Sequence, residues 1–135
     1  KKYADTTGVH VIPKELYNTS GQLPFDKTDE LGAHICTGKQ GQCMVDAVRL
    51  DDLCISDVSE IALDVEGAEY AALSGAIETI QHCTPHLAIC AYHKIEDYIK
   101  IPHWILDLDL NYQLYFRQHS CYYEESVVYA ISNKK

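Results

Sequence analysis

Three carboxylates lie close together in the run Ile61-Ala62-Leu63-Asp64-Val65-Glu66-Gly67-Ala68-Glu69-Tyr70. An apolar strand leads into them, turns at Gly67 and enters a helix. Ligands of open α/β sheets bind beyond the carboxyl ends of the strands. Asp64 and Glu66 are two residues apart, so an extended chain points both to one side. Glu69 falls in the first helical turn, where the helix dipole favours an anion. Phosphate-binding turns place bare N–H groups and glycines at this point, whereas this turn places negative charge there. It suits a cationic or hydroxyl-bearing ligand, or a metal ion.

Two more strand ends carry reactive side chains. One ends in Tyr92-His93 and the other in Arg117-Gln118-His119. Histidine is the usual acid or base near neutral pH. If these ends lie side by side, with strands about 4.8 Å apart, carboxylates and imidazoles share one crevice. Each residue also has a plainer reading. His93 alone reads as a solvated loop residue, Glu69 as an anion placed for the helix dipole, and Arg117 as the partner of an acidic neighbour. Asp64 resists such a reading, because a carboxylate late in an apolar strand needs a partner or a ligand. A metal held by Asp64, Glu66 and His93 remains open, since carboxylate and imidazole suit several divalent ions.

The elements that must position these groups follow from periodicity. A short strand is expected at 9–12, stopped by Pro13, followed by loop with short β pieces over 14–34. Ala33–Cys36 and Cys43–Leu50 read as strands around Thr37-Gly38-Lys39-Gln40-Gly41, a hairpin signal. Glu60–Val65 reads as a buried strand. Glu69–His82 reads as one helix with Tyr70, Leu73, Ile77 and Ile80 on a stripe. Gly75 inside it suggests close packing on the sheet. His86–Tyr92 is a second strand, and Ile95–Leu108 a helix kinked or restarted at Pro102. Tyr112–Arg117 and Ser126–Ile131 complete a β-α-β-α-β-β order. Helical crossovers make the first three of these strands parallel, and the short last link makes the final one antiparallel.

Composition sets outer bounds. The 135 residues are 47% hydrophobic and 23% charged, the make-up of one globular domain with a real core. A net charge of −9 argues against nonspecific binding to nucleic acid or anionic membranes. No apolar run approaches the roughly 18–20 residues of a membrane span. The six cysteines form no C-x-x-C pair, so they read as reduced structural thiols and a cytoplasmic setting is expected. Lys1 heads the chain and Met44 is its single methionine, so a piece of a longer protein is expected.

The segment Leu63-Asp64-Val65-Glu66-Gly67-Ala68-Glu69, followed by Ser74-Gly75-Ala76 and Ile80, resembles the FkbM-type methyltransferase family. The likeness continues through Pro85–Ile89 to Tyr92-His93, then Asp97 and Ile101-Pro102. Further on it takes in Tyr112–Arg117, His119-Ser120 and Glu125–Ala130. Upstream, Ile12-Pro13, Gly21, Phe25 and Leu50-Asp51-Asp52-Leu53 fit as well. The resemblance implies a partial Rossmann-like class I methyltransferase fold, α/β with a mainly parallel sheet and a final antiparallel strand. Residues 1–135 would be a single domain, the C-terminal portion of a methyltransferase domain.

The activity so implied is S-adenosylmethionine-dependent O-methylation of a hydroxyl on a small metabolite or sugar. Asp64 and Glu66 would lie at the cofactor–acceptor junction, His93 would be the general base, and Arg117 and His119 would line the acceptor side with it. Two departures stand out. Ala62 occupies a position where family members often carry lysine. The Gly-rich loop and the acidic strand end that usually hold the cofactor have no counterpart here, which implies weak cofactor binding by this chain alone. The alternative to an enzyme is a truncated, non-catalytic binding or structural module. Under either reading an exposed sheet edge favours a homo-oligomer.

Overall fold

The computed structural model describes residues 8–26, 34–35, 43–122 and 124–133. The turn expected at 37–41, together with Cys36, lies outside them. Two four-stranded sheets are present among the described residues. The first contains β1 (Glu15–Leu16), β2 (Gly21–Asp26), β3 (His34–Ile35) and β4 (Cys43–Val48), in the order β1-β4-β2-β3. The second contains β5 (Glu60–Leu63), β6 (His86–Cys90), β7 (Tyr112–Gln118) and β8 (Ser126–Ser132), in the order β5-β6-β8-β7. Three helices, α1 (Glu69–Ser74), α2 (Ile77–Cys83) and α3 (Asp97–Asp107), link the strands of the second sheet. No described helix is long and apolar enough to cross a membrane.

The chain is thus α/β, but its sheets are mixed rather than mainly parallel. Each sheet has one parallel pairing and two antiparallel ones. The strand directions in the second sheet are those the crossovers require. β5 and β6 are parallel, β8 runs against β6, and β7 runs against β8. The neighbours differ from expectation, because β8 turns back from β7 and inserts between β6 and β7. β7 therefore runs with β5 and β6 without pairing with either of them.

The first sheet departs further from the sequence reading. Residues 9–12 form no strand. The segments at 34–35 and 43–48 do not pair with each other, since both pair with β2. Pro24 lies in β2, where the chain has β4 on one side and β3 reaches only Phe25 and Asp26. A residue with no N–H donor is tolerated where a strand has one neighbour.

The core lies between the second sheet and its helices. Ile61, Leu63, Leu87, Ile89, Val128 and Ala130 bury one sheet face against Ala72, Leu73, Ile80, Ile101 and Ile105. The strands alternate, so β5 is not buried on both sides: Glu60 and Ala62 are exposed while Ile61 and Leu63 are not. α3 runs as one helix through Pro102, so of the kink or restart expected there the restart does not occur.

The single helix expected over 69–82 is broken at Gly75-Ala76, and the cause lies outside it. A Cβ on Gly75 would sit 2.1 Å from the carbonyl oxygen of Tyr17 and 3.1 Å from Asn18 Cα. The glycine is thus packed against the backbone that follows β1, not against the sheet. Its carbonyl accepts a hydrogen bond from Asp51 N (3.1 Å). The Asp51 carboxylate, in a short 3-10 turn (Asp51–Leu53), in turn accepts from Thr79 N (2.9 Å) and Thr79 Oγ1 (2.8 Å). This is an N-terminal cap for α2 supplied from a distant segment. Arg49 holds the same carboxylate at 3.0 Å.

Gly75→Ala is expected to destabilise the domain by about 2–3 kcal/mol, because the methyl group meets rigid backbone and not a movable side chain. Denaturant unfolding of the two proteins measures the difference.

Candidate functional site

The strand–turn–helix unit at 60–74 builds the site. β5 ends at Leu63, so Asp64 and Glu66 lie in the turn and not on a strand pleat. Glu66 has φ +50° and Gly67 φ +87°. The left-handed backbone at a non-glycine residue costs about 1 kcal/mol. At Gly67 a side chain would also press on Lys94, whose Cε lies 3.1 Å from the Cβ position. Lys94 Nζ donates to the Gly67 carbonyl, and Ala68 N closes the turn on Val65 O at 3.0 Å. Two left-handed residues in succession swing Glu66 back toward the end of β6.

His93 is the meeting point. Its Nδ1 lies 2.8 Å from Glu69 Oε1, while its Nε2 lies 3.2 Å from Glu66 Oε2 and 3.6 Å from Asp64 Oδ1. The Nδ1 contact is an electrostatic pairing, not an aligned hydrogen bond. Glu69 is fully buried, and the same Oε1 accepts from Val65 N at 3.1 Å. The His93 side chain is 11% exposed, against 61% for Asp64 and 50% for Glu66. One ring nitrogen therefore faces the interior, and the other faces an open, acidic rim.

The neighbours fix this arrangement. The Tyr92 ring packs on the His93 ring with centroids 4.0 Å apart, and its hydroxyl donates to Asp64 Oδ1 at 3.2 Å. Burial, with the charge of Asp64 next, pushes the Tyr92 phenol well above its usual range and keeps it a donor. The Cys90 thiol is likewise pushed up to about 12 by burial and then by Asp64, so it stays protonated and unreactive. The described cysteines Cys43, Cys54, Cys83, Cys90 and Cys121 are all free.

A family profile described as the Methyltransferase FkbM domain matches residues 5–119. The chain belongs to the FkbM methyltransferase family. Its fold is similar to the crystal structure of Methyltransferase FkbM from Methylobacillus flagellatus KT, with a TM-score of 0.76 and 25% identity. That alignment covers 96% of this chain and 31% of the other, so this chain spans about a third of that protein's length. No curated protein matches the chain.

Within this FkbM domain the structure brings together Asp64, Glu66 and His93 of the expected site residues. Arg117 and His119 stand apart. Arg117 Nη1 donates to Phe116 O (2.9 Å), and the guanidinium lies 5.6 Å from the Tyr115 ring centroid. His119 Nε2 meets Tyr129 Oη at 2.9 Å. The physical reason is the inserted β8, which puts the end of β7 two strand spacings, about 10 Å, from β6.

Two residues gain weight that the sequence reading did not give them. Glu69, read there chiefly as a partner of the helix dipole, is the buried anchor of His93. Asp97, the first residue of α3, is 2% exposed, and its Oδ2 has no hydrogen-bond partner. Burial raises its carboxyl pKa, and the charge of Glu69 adds to the rise. Glu96 also raises it, while Lys94 and Lys100 oppose the shift. Asp97, Tyr17, Tyr70, Lys94 and Lys100 line a cavity of about 180 Å³ that shares Glu66 with the His93 cluster.

A raised folded-state carboxyl pKa makes its contribution to stability fully present below the unfolded value. That contribution is lost as pH rises through the folded value. Asp97→Asn, which cannot ionise, is expected to raise Tm by about 4 °C at pH 7. The gain should shrink toward zero near pH 3–4. Calorimetric scans at the two pH values check the sign.

Proposed function

We propose that this chain carries the acceptor-side chemistry of an S-adenosylmethionine-dependent O-methyltransferase acting on a small hydroxyl compound. A Rossmann-like class I framework is part of this reading, with β5, β6 and β7 sharing one direction as support. The observation that carries it is His93 held between a buried carboxylate on Nδ1 and two exposed carboxylates at Nε2. S-adenosylmethionine, when bound, supplies a methyl group on a sulfonium cation.

The chain's own residues divide the remaining work. Asp64 and Glu66 present negative charge at an open rim, which favours a cationic donor over its neutral demethylated product. Tyr92 Oη holds Asp64 in place for this. His93 Nε2 would take the proton of the acceptor hydroxyl, leaving its oxygen free to receive the methyl group that bound S-adenosylmethionine would supply. Glu69 at Nδ1 keeps the ring oriented and stabilises the imidazolium that results, the role of the buried carboxylate in other carboxylate–histidine pairs.

The test uses the protein that carries this chain in nature, with labelled methyl transfer to a panel of small hydroxyl compounds. His93→Ala should lower kcat by about 10²–10⁴-fold while leaving cofactor affinity within about threefold. Asp64→Asn should weaken S-adenosylmethionine by about tenfold and S-adenosylhomocysteine far less, because only the former carries the sulfonium charge. Normal turnover by His93→Ala, or equal loss for both ligands in Asp64→Asn, contradicts the assignment.

A further inference from the structure

The His93 cluster carries more negative charge than its own cations balance. Three carboxylates surround one imidazole, and the nearby Lys94 ammonium is directed to the Gly67 carbonyl. Glu69 is fully buried, yet its Oε2 has no hydrogen-bond partner. A buried carboxylate with an unsatisfied oxygen is unfavourable unless a positive charge comes close. The unpaired oxygen belongs to the same carboxylate that touches His93, so the deficit lies inside the cluster.

The geometry matches a metal shell. One ligand atom each from Asp64, Glu69 and His93 lies within 4.8 Å of the others. Glu66 Oε2 and Asp64 Oδ1 stand 3.2 and 3.6 Å from His93 Nε2. Ligand atoms about 2.0–2.2 Å from one ion are about 3.0–3.5 Å apart in tetrahedral or octahedral shells. An outer partner is in place as well, with Tyr92 Oη donating to Asp64. Such contacts orient metal-binding histidines and carboxylates.

We infer that Asp64, Glu69 and His93 form a divalent-cation site, with the unpartnered Glu69 Oε2 turned to the ion and Glu66 at its open rim. One nitrogen and several carboxylate oxygens suit Mn²⁺ or Zn²⁺. The exposed rim leaves positions for water. The ion takes the lone pair that the proposed base uses, so the ion-loaded cluster is the inactive form of the methyl-transfer site. Only this last consequence rests on the methyltransferase reading.

The test titrates Mn²⁺ into the chain alone, with no methyl donor, and follows the free-ion electron paramagnetic resonance signal. Mn²⁺ is the probe because exposed thiols at Cys54 and Cys121 compete for Zn²⁺ more than for a hard ion. Saturable 1:1 binding is expected. His93→Ala and Asp64→Asn should each weaken it at least about tenfold, and Glu60→Gln, an exposed acid outside the cluster, should leave it unchanged. Circular dichroism confirms that each variant is folded, and Asp64→Asn alters a mostly exposed side chain. Absence of saturable binding, or parent-like binding by folded His93→Ala and Asp64→Asn, overturns the site. In the methyl-transfer assay, loss of turnover at Mn²⁺ concentrations that saturate the site supports the shared lone pair, and full turnover with the site saturated overturns the mutual exclusion. Failure of the methyl-transfer reading leaves the Mn²⁺ titration standing, so the two are separable.

Discussion

The fully buried carboxylate of Glu69 is the constraint around which the candidate site is organised. A charge removed from water is tolerated only with compensation. Here it comes from the Val65 N–H, the His93 imidazole and the N-terminal end of α1. These three groups belong to the strand–helix turn, the end of β6 and the helix itself. Satisfying one oxygen therefore fixes three backbone segments relative to one another. The left-handed pair Glu66-Gly67 follows from this, since the chain must reverse tightly between Val65 and Glu69 while both address the same oxygen. The outward Nε2 of His93, the atom on which any chemistry here depends, is set by what holds Nδ1.

A second tie works at the other end of α1. The backbone at Tyr17-Asn18 closes on Gly75, and Asp51 caps α2 across the break. These contacts join the small first sheet to the helical layer of the second. They are structural, yet they bear on the site, because α1 is short and both its ends are pinned. Its first turn, carrying Glu69, has little freedom to drift from His93. The cavity at Asp97 adjoins the same turn, so a ligand there would share Glu66 with the rim.

Local features were legible in the sequence. The apolar run into Asp64 and Glu66, the turn at Gly67 and the directions of β5, β6, β7 and β8 follow from short-range pattern and crossover length. The convergence of Asp64, Glu66 and His93 followed from adjacent parallel strand ends. What could not be read depends on contacts distant in sequence. The insertion of β8, which separates Arg117 and His119 from the cluster, is a choice of neighbour that periodicity does not encode. The helix break at Gly75 is imposed by backbone almost sixty residues earlier, and β2 looked like loop because Gly21 and Pro24 hide its pairing. The role of Glu69 was invisible for a different reason, since one residue type at a helix start serves equally as an exposed dipole partner or a buried anchor, and burial alone separates the two.

The most direct test of the account is a double-mutant cycle on Glu69 and His93, using Glu69→Gln, His93→Gln and the double variant, with stability read from denaturant unfolding. If the buried carboxylate and the imidazole hold each other in place, the cycle gives a coupling energy above about 1 kcal/mol, as for charged groups in direct contact. Additive losses, within about 0.3–0.5 kcal/mol, would show that Glu69 is compensated elsewhere and that His93 is not positioned by it.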